Sequence, residues 1–170
     1  VQTGFLLVRS DNYFHKNSVF NLHWSLGGGL GLGYGKGIFV NGDQSYAQFR
    51  LWEIPLDMGI GIEMPMTSWL KVSGTIGPSA MVLIQNRSDL TEHETGKNKA
   101  QLGYGPFASA QFKFNLSKLT SIGSYELFTM SGITNLYFTL DARYHNYSHY
   151  LDAITISGTS IGAGFTFELL

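Results

Sequence analysis

Four polar residues in the last third of the chain, His145, Ser148, His149 and Asp152, are of the types from which a hydrolase assembles a nucleophile, a base and an orienting acid. A second set, Arg9, Glu53, Asp57, Glu63, Lys71, Asp141 and Arg143, offers opposite charges that can pair in a buried network or, if hydrated, line a small pore. His93, between Glu92 and Glu94, supplies one potential metal ligand in a polar stretch and is most simply solvated, so no metal site is expected. Gly31, Gly33 and Gly35 form no phosphate loop, because no helix start follows them, and no cofactor is expected. The absence of cysteine removes disulfides, thiol catalysis and Cys-based metal sites.

Which of these chemistries is open to the chain depends on the elements that carry the residues. From Val19 to Tyr34 the even positions read Phe20, Leu22, Trp24, Leu26, Gly28, Leu30, Leu32 and Tyr34. The odd positions are Asn21, His23, Ser25, then Gly27, Gly29, Gly31 and Gly33, so a period of two runs through without a slip. A strand this long is unusual, and Gly27-Gly28-Gly29 is expected to form a three-residue hairpin loop pairing Leu26 with Leu30 and Trp24 with Leu32. The non-apolar face is mostly glycine, where a water-facing strand would carry Lys, Glu, Thr or Arg. Glycine fits a backbone facing a crowded interior, so the apolar face is expected to point outward.

The same pattern organises the rest of the chain. Leu6 and Val8 are placed outward and Arg9 inward, and Asn41-Gly42 marks a turn. Trp52, Ile54, Leu56, Met58, Ile60, Ile62 and Met64 share one face, against Glu53, Pro55, Asp57, Gly59, Gly61 and Glu63. A turn centred on Thr67 would set Glu63 opposite Lys71 as an inward pair of opposite charge. Residues 85–99 read as an exposed loop, and the segment from Gln101 to Phe114 alternates again, with Phe107 as the exception. Residues 117–131 break the rhythm and fit a short interfacial helix or a plug. Two further alternating segments follow, from Leu136 to His145 and up to Leu169.

These segments predict an all-β fold, an eight-stranded antiparallel up-and-down transmembrane β-barrel, with 1–170 as one domain and both termini at the periplasmic end. Charged residues are 14% of the chain, against roughly 25% in ordinary soluble domains. No apolar run approaches the ~18 residues of a spanning helix. The formal net charge of -1 gives no basic footprint, so no nucleic-acid partner is expected. The chain opens on Val1-Gln2-Thr3 with no signal peptide, which fits a mature outer-membrane protein whose leader has been removed. Aromatic residues are expected in two interfacial girdles, Trp24, Trp69, Phe112, Phe165 and Phe167 at one end, Tyr13, Trp52, Tyr144, Tyr147 and Tyr150 at the other.

With these features laid out, the chain resembles the small eight-stranded outer-membrane barrels, the group around the OmpA transmembrane domain. The resemblance covers nearly the whole chain and lies in architecture. Its sharpest local element is Gly164-Phe165-Thr166-Phe167-Glu168-Leu169-Leu170, in which Phe165, Phe167 and Leu169 look like the terminal signal recognised by the barrel-assembly machinery. The family usually ends on Phe or Trp, whereas this chain ends on Leu with one residue after the alternating set. Some outer-membrane barrels are lipid A deacylases or palmitoyltransferases, but the deacylase pattern of His, one residue, then Ser is not met, since Tyr147 stands two after His145.

The expectation is a non-enzymatic, membrane-organising barrel with a side-chain-filled lumen, its partners outer-membrane lipid and, during insertion, the assembly machinery. The alternatives are a lipid-modifying enzyme using His145, Ser148 and Asp152, a small porin, and a lipocalin-like soluble barrel with the apolar set turned inward. A smooth outward face of Gly74, Pro78, Ala80, Pro106, Ala108 and Ala110, with Pro78 beside Pro106, is the candidate contact for a homo-oligomer.

Overall fold

Alternation becomes architecture in a single curled sheet of seven antiparallel strands, with neighbours in the order of the chain. They are β1 (Gln2–Lys16), β2 (Asn21–Ile38), β3 (Gln44–Pro65), β4 (Leu70–Arg87), β5 (Asn98–Asn115), β6 (Ile133–Tyr147) and β7 (Ile156–Leu169). The computed structural model describes residues 2–38, 44–87, 98–118, 128–151 and 155–169. The turn at Asn41-Gly42, most of the polar stretch 85–99 including His93, and Asp152 lie outside the described residues.

The expected hairpin at Gly27-Gly28-Gly29 is not formed. These glycines lie inside β2, paired through Gly27 with Arg9, Gly28 with Val8 and Gly29 with Leu7 of β1, while Gly27 and Gly28 also pair with Asp57 and Leu56 of β3. A three-residue loop preserves side-chain parity as a straight strand does, so the alternation could not tell them apart. The physical reason for the glycines is close approach. A Cβ on Gly29 would stand 2.5 Å from the Leu6 carbonyl oxygen, and one on Gly31 2.5 Å from the Phe5 ring. They are cut-outs in the wall that receive β1.

Losing that hairpin changes the count and the directions. Seven strands are present among the described residues, not the expected eight, and an odd number puts Gln2 and Leu169 at opposite ends of the sheet. The tight turns between β1 and β2 and between β3 and β4 share one end, here called the near end. At residues 17–20, the Asn17 side-chain oxygen accepts from the Val19 and Phe20 amides at 2.7 Å each. At residues 66–69, the Thr67 hydroxyl accepts from Trp69 and Leu70. This second turn centres on Ser68, so Pro65 faces Lys71 and Glu63 faces Ser73, two residues from the expected register and with the same faces inward.

After β5, Leu116–Lys118 is a single 3-10 turn. Residues 128–131 are helical, with Phe128 and Met130 exposed, and end at Gly132, whose φ of 67° is the left-handed conformation common after a helix. A helical segment was one of the two expectations for this region.

The ladders weaken where proline removes a donor. Pairing between β3 and β4 skips from Asp57–Ser79 to Ile60–Ile76 around Pro78, and the Ser79 hydroxyl lies 3.2 Å from the Leu56 carbonyl oxygen beside the gap. Between β5 and β6 the ladder resumes only at Tyr104–Ser148, beyond Pro106.

Candidate functional site

The sheet is inside-out relative to a soluble protein. Outward positions carry large apolar side chains in the open, including Leu26, Leu56, Met58, Ile60, Leu102 and Ile161, whereas Glu53, Asp57, Glu63, Lys113 and Arg143 are buried on the concave face. Buried charges must be paired. Two layers of the interior are built on that requirement.

Near the tight turns, Glu63 accepts from Lys113 Nζ at 2.8 Å, from the Tyr13 hydroxyl at 2.7 Å and from Asn21 at 3.2 Å. Lys71 stands 3.5 Å from Glu63, so the expected ion pair is made along a diagonal of the sheet. Lys71 also reaches Glu168 at 3.1 Å and lies 4.8 Å from the centre of the Tyr137 ring. Lys113 ties the cluster to Asp11, which Arg9 holds at 3.1 Å. Strands β1, β3, β4, β5 and β7 are thereby joined through the interior.

Midway along the lumen Arg9 donates to Ser109 at 3.0 Å. Arg143 pairs with Asp57, its guanidinium 5.0 Å from the centre of the Phe107 ring. The Ser79 hydroxyl donates to Asp57 and lies 2.9 Å from the Tyr147 hydroxyl. Phe107, the exception to the alternation, is thus an inward ring beneath an arginine. Glu53 is buried on the same face, and Asp141 is half-buried there.

Toward the far end the lumen changes character. Met81, Leu83, Tyr147 and Tyr150 form a buried apolar cluster, with Leu51 and Ile156 against it. Tyr150 lies flat over Gly103, where a Cβ would meet its ring. Tyr147 and Tyr150 are therefore lumen residues and not the girdle residues expected, because the strand supplies parity for Tyr147 and His149 breaks it for Tyr150. His149 has a φ of 63°, which turns the chain by one residue. Tyr13 is also inward and belongs to the near end, since the missing hairpin reverses the direction assigned to β1. Trp52 and Tyr144 do face outward, as do Trp24, Trp69, Phe112, Phe165 and Phe167.

Of the residues read as a hydrolase set, the three that are described are not brought together. His145 faces inward, its ring 6.3 Å from Phe5 and 5.2 Å from Tyr147. Ser148 and His149 share a 2.7 Å hydrogen bond, and the exposed His149 ring stacks on the outward Tyr104 at 4.5 Å.

On the outer face, Gly74 pairs with Ala110, Ile76 with Ala108 and Pro78 with Pro106, so the small-residue patch is contiguous and the two prolines adjoin as expected. Ala142, paired with Ala110, extends it onto β6. Beside it an apolar groove of about 740 Å³ runs past Val8, Leu26, Gly28, Leu56, Pro78 and Ala80. Phe165, Phe167 and Leu169 are exposed on β7.

Asp11, Lys113 and Glu168 complete the network and were not assigned to it from the sequence, whereas Tyr13 and Tyr147, also part of it, were read as girdle residues. The signal was parity: Lys113 stands between Phe112 and Phe114, and Glu168 between Phe167 and Leu169. No protein-family model, curated protein or solved structure matches the chain.

Proposed function

We propose that this chain is the wall of a small outer-membrane β-barrel whose lumen is closed by its own side chains and whose role is structural or membrane-organising. The observation that carries the proposal is the inversion of polarity. Glu63 and Lys113 are each 1% exposed, while Leu6, Val8 and Ile161 are at least 74% exposed. In water that outer surface would be an aggregation surface far beyond the few hundred Å² typical of monomers, whereas in hydrocarbon it is the favoured solvent face.

Strand length agrees. An 18-residue strand such as β2 extends for about 60 Å, and at a tilt of ~40° it rises about 45 Å, enough for a ~30 Å hydrocarbon layer and the interfaces beyond it. The cross-lumen ion pairs and the apolar far-end cluster favour a filled interior over a porin. The separation of His145 from Ser148 and His149 favours a non-enzymatic role. The reading takes the barrel to be of the small OmpA type, and the contiguous small-residue face on β4 and β5 supports packing against a second copy.

The test is extraction and gel mobility. The protein is expected to leave membranes only with detergent and to migrate faster unboiled than boiled. A protein soluble without detergent, with one mobility, would remove the proposal.

A further inference from the structure

The sheet has two edges. No pairing joins β1 to β7 among the described residues, yet their side chains already share one interior: Arg9 and Phe5 of β1 reach β5 and β6, and Glu168 of β7 reaches Lys71 of β4. These contacts cross the concave face, so the sheet is curled enough for both edge strands to face one interior. Two rows of unpaired backbone groups would remain in hydrocarbon, where no water can satisfy them.

What fits there is constrained by direction and by valence. Because seven strands alternate, β1 and β7 run parallel, and a single strand antiparallel to one is antiparallel to both. A second copy cannot fill the seam by edge pairing, since each of its edge strands has only one free side and the seam requires a strand with two. The inner face beside the seam is also empty where the rest of the wall is crowded. A Cβ on Gly162 or Gly164 of β7 would meet nothing within 4 Å, in contrast to Gly29, Gly31, Gly59 and Gly61 on β2 and β3. Asp141 of β6, paired in the ladder with Gly162, projects to the same side, and no hydrogen bond or ion pair from a described residue reaches its carboxylate.

We propose that one further strand of the same polypeptide, lying outside residues 1–170, fills the seam between β1 and β7. It runs antiparallel to both, with apolar side chains outward and small ones inward, and places an inward cation or hydrogen-bond donor opposite Asp141. The inference rests on the membrane-barrel reading, and its test is made on protein already shown to sit in lipid.

The chain has no cysteine, so paired cysteines report cleanly. In the full natural polypeptide, V8C is combined in turn with I161C, A163C and F165C. One intervening strand separates β1 and β7 by about 10 Å, beyond the ~7 Å Cα limit for a disulfide. No disulfide is expected in any pair, and a thiol reagent spanning ~10 Å should bridge at least one within a single chain. Backbone amides of β1 and β7 should exchange at least about 100-fold more slowly than in residues 1–170 alone.

A disulfide would mean direct parallel closure and would overturn the inference. So would fast exchange at both edges in the full polypeptide, a bridge between two copies, or a separate peptide released on boiling. If the lipid-facing test itself fails, the barrel reading falls first, and the two failures remain distinct.

Discussion

Lys113 of β5 donates to Glu63 of β3 across the lumen at 2.8 Å, with side-chain exposures of 2% and 1%. The two residues are 50 apart in sequence and sit on strands that do not pair with each other. Their contact therefore reports the curl of the sheet and not its ladder. Removing one partner leaves a buried charge, the costly case, whereas removing both costs much less.

Lys113→Met is accordingly expected to destabilise the barrel by about 3 kcal/mol in urea unfolding from lipid vesicles. The residual Glu63–Lys71 contact at 3.5 Å softens the loss without replacing it. Adding Glu63→Gln should recover part of the loss, giving a coupling of about 1–3 kcal/mol. Full additivity would mean that the pair is not a unit.

Glycine substitutions separate a continuous β2 from a hairpin. Gly29→Ala places a methyl group 2.5 Å from the Leu6 backbone oxygen and should cost about 1–3 kcal/mol. At Gly27 the nearest atom is 3.4 Å away, so Gly27→Ala should be neutral or stabilising by up to about 1 kcal/mol. If residues 27–29 turned, the sensitive positions would be those needing a left-handed backbone, and this order would not hold.

The sheet was legible because parity is a strong signal. Leu6 and Val8 outward, Arg9 inward and Pro78 beside Pro106 all follow from a period of two and a loop midpoint. What parity cannot show is where a strand reverses with its parity intact, which is why Gly27-Gly28-Gly29 misled and took the strand count and the placement of Tyr13 with it. Nor can it show a change of phase within a few residues, as at His149, which carries Tyr150 into the lumen. The inward charges were legible as a set, but their partners depend on curvature. Glu63 with Lys113, and Lys71 with Glu168, are contacts that no local pattern encodes.

A charge on the outer face distinguishes lipid from water. Leu56 lies midway along β3, 54% exposed and paired with Gly28 and Ala80. Leu56→Arg should cost about 2–4 kcal/mol in vesicles, the penalty near a bilayer midplane. On a water-facing surface the same change would stay within about 0.5 kcal/mol.

The small-residue face predicts a change of assembly. Ala108→Trp fills the smooth patch between Ile76 and Tyr144 and should convert a discrete multimer to a monomer, read as the detergent-corrected mass. An unchanged mass would show that this face meets only lipid.

The most direct test uses the three tryptophans, Trp24, Trp52 and Trp69, which are 45%, 38% and 52% exposed on the outer face. Their fluorescence is measured in vesicles made with acyl chains brominated at successive depths. A membrane-spanning barrel with its apolar face outward predicts strong quenching, greatest for bromines near the interfaces where aromatic residues collect. Emission unchanged by brominated lipid, with full quenching by aqueous iodide, would contradict the account.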